Sequence, residues 1–400
     1  GLSHRFAGSG DRAAIGAIVH DALRRRNSAR WTMGAETPRA TVLGMLRVAR
    51  DMDAEGVAAL CDGSRFAPEP LSEAERAALT GDRLADAPPH VRGDFPEWLA
   101  PSLGRAFGEN AAAEGAALAQ RAPLDLRVNT LKTIRLKALP ALSDYDAAAG
   151  GHGPDAIRIP PRSDGRVKPV QADPLFLKGM VEIQDEGSQI VARLADPQPG
   201  QQVLDLCSGG GGKSLAMAAL MNNRGQIFAT DADARRLAPI HERIARAGAR
   251  NVQVRTPRSG AMPLDDLAES MDLVFVDAPC TGSGTWRRNP DAKWRMREGS
   301  LQQRMKEQQE VIDNAVRFVR VEGVLVYVTC SVLPEENDDQ IERLFAADAG
   351  FETIDIARSA AFRSMPDLES AVRRTSRGLL LTPRLTGTDG FYVSALRRTR

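Results

Sequence analysis

Cysteine is scarce in this chain: four in 400 residues, at positions 61, 207, 280 and 330. No Cys-x-x-Cys pair occurs, and no histidine stands near any of the four at zinc-finger spacing. That argues against a structural metal site, and the length argues against a disulfide framework. Histidine is equally sparse, at five residues. None lies beside the cysteines, so a Cys–His protease-like pair has no support. No apolar run approaches the ~20 residues of a membrane span, and no signal peptide is visible. Reduced, dispersed thiols fit a cytoplasmic protein. Internal repeats and low-complexity tracts are missing too. Net charge is only +1, so nothing global demands an anionic partner.

The local charge is less even. Residues 1–50 carry nine arginines against three acids, a net of +6, whereas residues 51–95 carry ten acids against four arginines, a net of −6. The basic N-terminal face can attract phosphate, although a solvated helix surface has the same composition. In DRAAIGAIVHDALRRR (11–26), Ile15, Ile18, Val19, Ala22 and Leu23 share one stripe, which predicts an amphipathic helix. SEAERAALT (72–80) opens with a Ser-x-x-Glu capping signature. Pro88, Pro89, Gly93 and Pro96 mark a linker. Strands are expected at 124–132 and 156–160, in a small α+β module.

From about residue 180 the rhythm changes. Apolar strands at 203–206, 226–230, 252–254, 272–276 and 324–328 alternate with helical stretches. That spacing predicts a doubly wound parallel sheet, with DGFYVSALRR (389–398) as a further strand at its edge. After the first strand comes Cys207-Ser208-Gly209-Gly210-Gly211-Gly212-Lys213, opening a helix. Glycines there let backbone turn sharply against a ligand. The second strand ends at Asp231, an acid placed to accept both hydroxyls of a ribose. The loop fits neither the GxGxxG register nor the GxxxxGK[ST] frame, since Cys207 stands where the latter needs glycine. A nucleoside cofactor is the reading the pair supports.

Cys280 sits in DAPCTGSGTWRRNPD (277–291) and Cys330 in VYVTCSVLPEEND (326–338). Each follows a β-prone run and precedes turn-forming residues. Both thiols are thus expected past the carboxyl ends of buried strands, where open α/β sheets bind ligands. Cys61 and Cys207 read as inert core thiols. Lys213, Arg287 and Arg288 are cations that could favour a thiolate. A thiolate beside a methyl donor suits one reaction well. Carbon 5 of a pyrimidine is a poor nucleophile until a thiolate adds at carbon 6, and the base must leave any stack to reach it.

DAPCTGSG, RRNPDAKW, VTCSVLPEEN and DGFY together resemble the RNA cytosine-C5 methyltransferases, in particular the bacterial Sun/Fmu (RsmB) group that acts on 16S rRNA. VEIQDEGSQIVA (181–192), PEWLAPSLGRAFGE (96–109) and LRVNTLK (126–132) fit the same family. The resemblance implies an α/β fold: a Rossmann-like S-adenosylmethionine methyltransferase sheet at 171–400, a small α+β module at 95–170 and a helical NusB-like RNA-binding domain at 1–85. It implies that Cys330 is the nucleophile, that Cys280 assists release, that Asp277 bonds the flipped cytosine and that Lys213 lies at the active site. It also implies that the loop from Cys207 to Lys213 wraps the methionine part of S-adenosylmethionine, that Asp231 holds the ribose, that Asp277 borders the cofactor, and that Arg288 and Lys293 meet RNA. The expected partner is 16S rRNA or an assembling small subunit, met by a monomer.

Two positions depart from the family. Its loop proline is Gly210 here, which predicts a more flexible loop. Arg258 aligns with the acid that contacts the cofactor adenine, which leaves Asp265, Asp266 or a backbone carbonyl as the alternative acceptor. Two other functions compete. A non-catalytic RNA-binding or ribosome-assembly factor would need neither thiol. A DNA cytosine methyltransferase would use the Pro-Cys thiol as nucleophile and leaves the second one unexplained.

Overall fold

The computed structural model describes every residue except 1–7, 162–168, 258–263 and 348–349. The chain forms two compact units. One holds 8–121 together with Trp286–Met296; the other holds Ala122–Pro161, 169–285 and Arg297–Arg400. By their contacts, helices 100–107 and 111–118 group with the first unit. Among the described residues no helix is long and apolar enough to cross a membrane.

The first unit is helical. Its core gathers Ala29, Leu43, Met45, Val57, Cys61 and Leu79. Ser72 caps the helix Glu73–Thr80 in a reciprocal capping box with Glu75, as the sequence predicts. The expected stripe on the helix Ser9–Arg24 is only half used. Ala22 is buried and Ile18 packs against the core, whereas Ile15 and Val19 are exposed.

Among the described residues the second unit contains thirteen strands: β1 (Leu124–Val128), β2 (Ala148–Ala149), β3 (Ala156–Ile159), β4 (Val181–Ile183), β5 (Gln202–Asp205), β6 (Gln226–Ala229), β7 (Val252–Val254), β8 (Met271–Asp277), β9 (Val319–Thr329), β10 (Phe351–Ile354), β11 (Arg373–Arg374), β12 (Leu379–Leu381) and β13 (Phe391–Arg398). The first four form an antiparallel sheet in the order β2-β3-β1-β4. The other nine form one mixed sheet. Its main path runs β11-β12-β13-β9-β8-β5-β6-β7, and β10 pairs with β13.

Strands β7, β6, β5, β8 and β9 are parallel. Their central members are continuous apolar runs, as a sheet covered on both faces requires. Val203, Val274, Phe275, Val326 and Val328 are fully buried there. Burying such a side chain is worth roughly 1.5–3 kcal/mol. The order reverses at β5, which has β6 on one side and β8 on the other. That switch point opens a crevice beyond the carboxyl ends of β5 and β8.

Strand β13 is not an edge strand. It pairs antiparallel with β9 along one side and with β12 and β10 along the other. Its first six residues are all buried in consequence.

Candidate active site

The glycine loop leaves β5 at the switch point and enters the helix Gly212–Leu220. Gly211 has φ +80°, and a Cβ there would lie 2.4 Å from the Ile240 side chain, so only glycine fits without displacement. The Gly209 N–H donates to Asp231 at 2.9 Å, and the second Asp231 oxygen accepts the Asp233 N–H at 2.9 Å. Each carboxylate oxygen has two lone-pair directions. Asp231, 2% exposed, therefore keeps acceptor capacity on both oxygens for a pair of hydroxyls. The residues fit a ribose-bearing cofactor.

Beneath the loop lies a polar chain that the sequence did not single out. Ser214 donates to Asp205 at 2.5 Å, and the Ser208 and Ser214 hydroxyls meet at 2.8 Å. Asp205 is fully buried, and burial pushes its carboxyl up to about 7. Burial also raises the Cys207 thiol far above its usual range, as expected of an inert cysteine. Asp266 pairs with Arg255 at 2.8 Å, and Asp265 lies 3.7 Å from Arg317. Arg258 lies outside the described residues.

Lys213 projects from the first turn of the helix. Its ammonium lies 2.7 Å from Asp277 Oδ2 and 5.2 Å from the centre of the Phe391 ring. Burial works against its charge, but Asp277 and the Cys330 sulphur outweigh that and hold its pKa above the ordinary lysine value. Lys213 therefore carries positive charge in this site. Arg287 and Arg288, the other candidates, sit on the segment that belongs to the helical unit; Arg287 is buried and Arg288 half-buried.

Strands β8 and β9 are parallel neighbours, with Asp277 opposite Val328, so the turns that follow them lie side by side. Cys280 Sγ and Cys330 Sγ are 3.3 Å apart. The hydrogen bond with Cys330, then burial, pushes the Cys280 thiol well above its usual value. The two thiols share one hydrogen bond, and either sulphur can be its donor.

One acid holds both turns. Glu336, fully buried, accepts the Thr281 N–H at 2.8 Å, the Thr281 hydroxyl at 2.5 Å, the Ser331 hydroxyl at 2.5 Å and the Gln308 amide at 3.0 Å. Gln308 also donates to the Pro279 carbonyl at 2.9 Å. Every one of these ties is to a residue adjoining Cys280 or Cys330, or to their shared brace. Gly284 completes the brace. Its N–H donates to the Cys330 carbonyl at 2.9 Å, and a Cβ there would lie 2.2 Å from the Gly390 oxygen. The sequence showed Glu336 only as a letter in PEEN, because its burial depends on the turn folding back over β9.

Glu336→Gln is expected to lower turnover about 10–100-fold while cofactor affinity stays within about twofold. An amide turns a donor toward at least one of the four donors, which costs about 1–3 kcal/mol. Steady-state kinetics and calorimetry check this; an unchanged turnover would remove the clamp's role.

Lys293 was expected to meet RNA, and the structure places it otherwise. It is 1% exposed and donates to the carbonyls of Arg24 at 2.9 Å and Asp94 at 2.6 Å, all within the helical unit. Burial pulls its pKa down to about 7. Neighbouring Trp294 donates to the Leu23 carbonyl at 2.6 Å. This lysine ties its own segment into the unit and has no surface to offer a phosphate.

The sheet and the glycine loop at its switch point, together with the family match, make this a Rossmann-like, S-adenosylmethionine-dependent methyltransferase. Residues 192–397 match the family described as 16S rRNA methyltransferase RsmB/F, and residues 95–164 match its ferredoxin-like domain. The chain is 34% identical over 326 residues to the ribosomal RNA small subunit methyltransferase B of Sodalis glossinidius, covering 78% of this chain and 68% of that one. A probable ribosomal RNA small subunit methyltransferase B from Synechocystis is 28% identical over 334 residues, covering 82% and 73%. A methyltransferase homologue from Pyrococcus horikoshii has a similar fold, with TM-score 0.60 at 24% identity over 78% of this chain and 97% of that one. The chain belongs to the 16S rRNA methyltransferase RsmB/F family.

Proposed function

We propose that this chain methylates carbon 5 of a cytosine in 16S rRNA through a covalent adduct with Cys330. The observation that carries the reading is the pair of thiols 3.3 Å apart on the sheet edge that also bears the glycine loop. Bound at that loop, S-adenosylmethionine supplies an electrophilic methyl group. Asp231 takes the ribose, and residues 207–213 surround the methionine part.

Asp277 gives Oδ2 to Lys213, leaving Oδ1 to accept a hydrogen bond from the amino group of a flipped cytosine. Cys330 forms a bond to carbon 6, which makes carbon 5 nucleophilic. Carbon 5 takes the methyl; its proton then passes to a base beside the adduct, the C–H electron pair closes the C5–C6 double bond, and the C6–S bond breaks to return the Cys330 sulphur as thiolate. Lys213, held by Asp277, supplies positive charge at the site. Cys280 is the acid–base group placed for that proton transfer, 3.3 Å from the departing sulphur. Arg288, half-buried in the helical unit, is the remaining candidate for an RNA contact.

Bisulfite mapping of total RNA from cells with and without the protein tests this directly. One 5-methylcytosine in 16S rRNA should vanish without it. An unchanged map, or loss of a mark of another chemistry, would overturn the cytosine assignment. Binding of S-adenosylmethionine, measured by calorimetry, separates an enzyme from a pure assembly factor.

A further inference from the structure

The loop 209–212 is four consecutive glycines, a sequence with little stiffness of its own. The structure nonetheless pins it at three successive points. Gly209 donates to Asp231, and Gly211 donates to the Ser208 carbonyl at 2.9 Å and rests on Ile240. Between them, the Gly210 carbonyl accepts the Arg243 guanidinium at 2.6 Å. Ile240 and Arg243 are three apart on the helix Ile240–Ala247 and share a face, so one helix supports two adjacent loop residues. Arg243 is itself held. It is 3.6 Å from Glu182, which Arg246 bonds at 2.8 Å.

Gly210 differs from its neighbours. Gly209 and Gly211 have positive φ, and Gly210 does not, so its backbone admits a side chain. The space is taken instead. A Cβ at 210 would lie 3.0 Å from the Arg243 guanidinium.

We propose that Arg243 is a positioning residue for the cofactor loop, holding the Gly210 carbonyl through a guanidinium braced by Glu182 and so supplying the stiffness that glycine lacks. The proposal rests on the reading of this loop as the S-adenosylmethionine site. Arg243 touches no reacting atom; it shrinks the set of loop conformations that binding must otherwise select from.

The test is calorimetric titration of the full chain with S-adenosylhomocysteine. Arg243→Ala should weaken binding about tenfold, the size of one charge-assisted hydrogen bond's net contribution. Arg243→Gln, which keeps length and a donor but not charge, should fall between. Gly210→Pro in the Arg243→Ala background should recover affinity to within about threefold of the parent, because a fixed φ restores stiffness by another route. An arginine that served only global stability would not be replaced by a ring fixing the loop backbone. Parental affinity in Arg243→Ala and Arg243→Gln overturns the proposal, as does a double variant no tighter than Arg243→Ala. If the parent itself takes up no S-adenosylhomocysteine, the reading of the loop fails first.

Discussion

Cys330→Ala leaves no measurable methyl transfer, a fall on the order of 10⁴-fold or more. The expectation follows from the geometry around the sulphur. Asp277 holds the Lys213 ammonium at 2.7 Å, and the Cys280 sulphur lies 3.3 Å from the Cys330 sulphur. In the proposed reaction Cys330 makes the bond to carbon 6, and the neighbouring thiol acts only in proton transfer. Alanine removes only one half-buried sulphur at a strand end, so the fold and the glycine loop stay intact. Labelled-methyl incorporation into RNA lacking the mark reads the activity, and calorimetry with S-adenosylhomocysteine reads the loop. Residual activity above about one per cent, with cofactor affinity unchanged, would transfer the nucleophile's role to another residue.

Much of this was legible before any coordinates. The strands at 226–229 and 271–277 follow their apolar runs closely, since a strand covered on both faces leaves no choice of pattern. Ser72 and Glu75 announce their helix, because a capping box is a local device. What escaped depends on distant partners. Strands β4 and β12 are three residues each, too short to show a period. Strand β13 reads as an edge from its own residues, and only the pairing of β10 and β12 with it places it inside the sheet.

The same distinction divides the site. Lys213, Asp231, Cys280 and Cys330 announced themselves through motif context at strand ends. Glu336 and Arg243 did not, since an acid in a turn and an arginine on a helix are ordinarily solvated. Lys293 misled for a related reason: its RNA contact was what the resemblance implied, and burial against the Arg24 and Asp94 carbonyls is a tertiary fact. Gly210 is the instructive case. Its departure from the family's proline predicted a looser loop, and Arg243 closes that gap from 33 residues away.

Cys280→Ala is expected to give the opposite phenotype from Cys330→Ala: the RNA is attacked but not released. Addition needs the Cys330 sulphur beside the Lys213–Asp277 pair, and the variant leaves all three in place. Release needs the carbon-5 proton to be taken as the C6–S bond breaks. In the native site Cys280 is the acid–base group beside that sulphur, 3.3 Å away. Losing a positioned acid–base group slows its step by roughly 10²–10⁴-fold, so breakdown falls behind formation and the adduct accumulates. Denaturing electrophoresis of the variant with RNA should show a band of protein plus RNA that survives heat and detergent. The double variant Cys280→Ala/Cys330→Ala should show none, which ties the band to the Cys330 sulphur. An adduct that persists in the double variant would reassign the nucleophile. No adduct in Cys280→Ala, with turnover near the parent's, would mean that water entering the pocket performs the proton transfer and that the second thiol serves only to shape the turn beside Glu336.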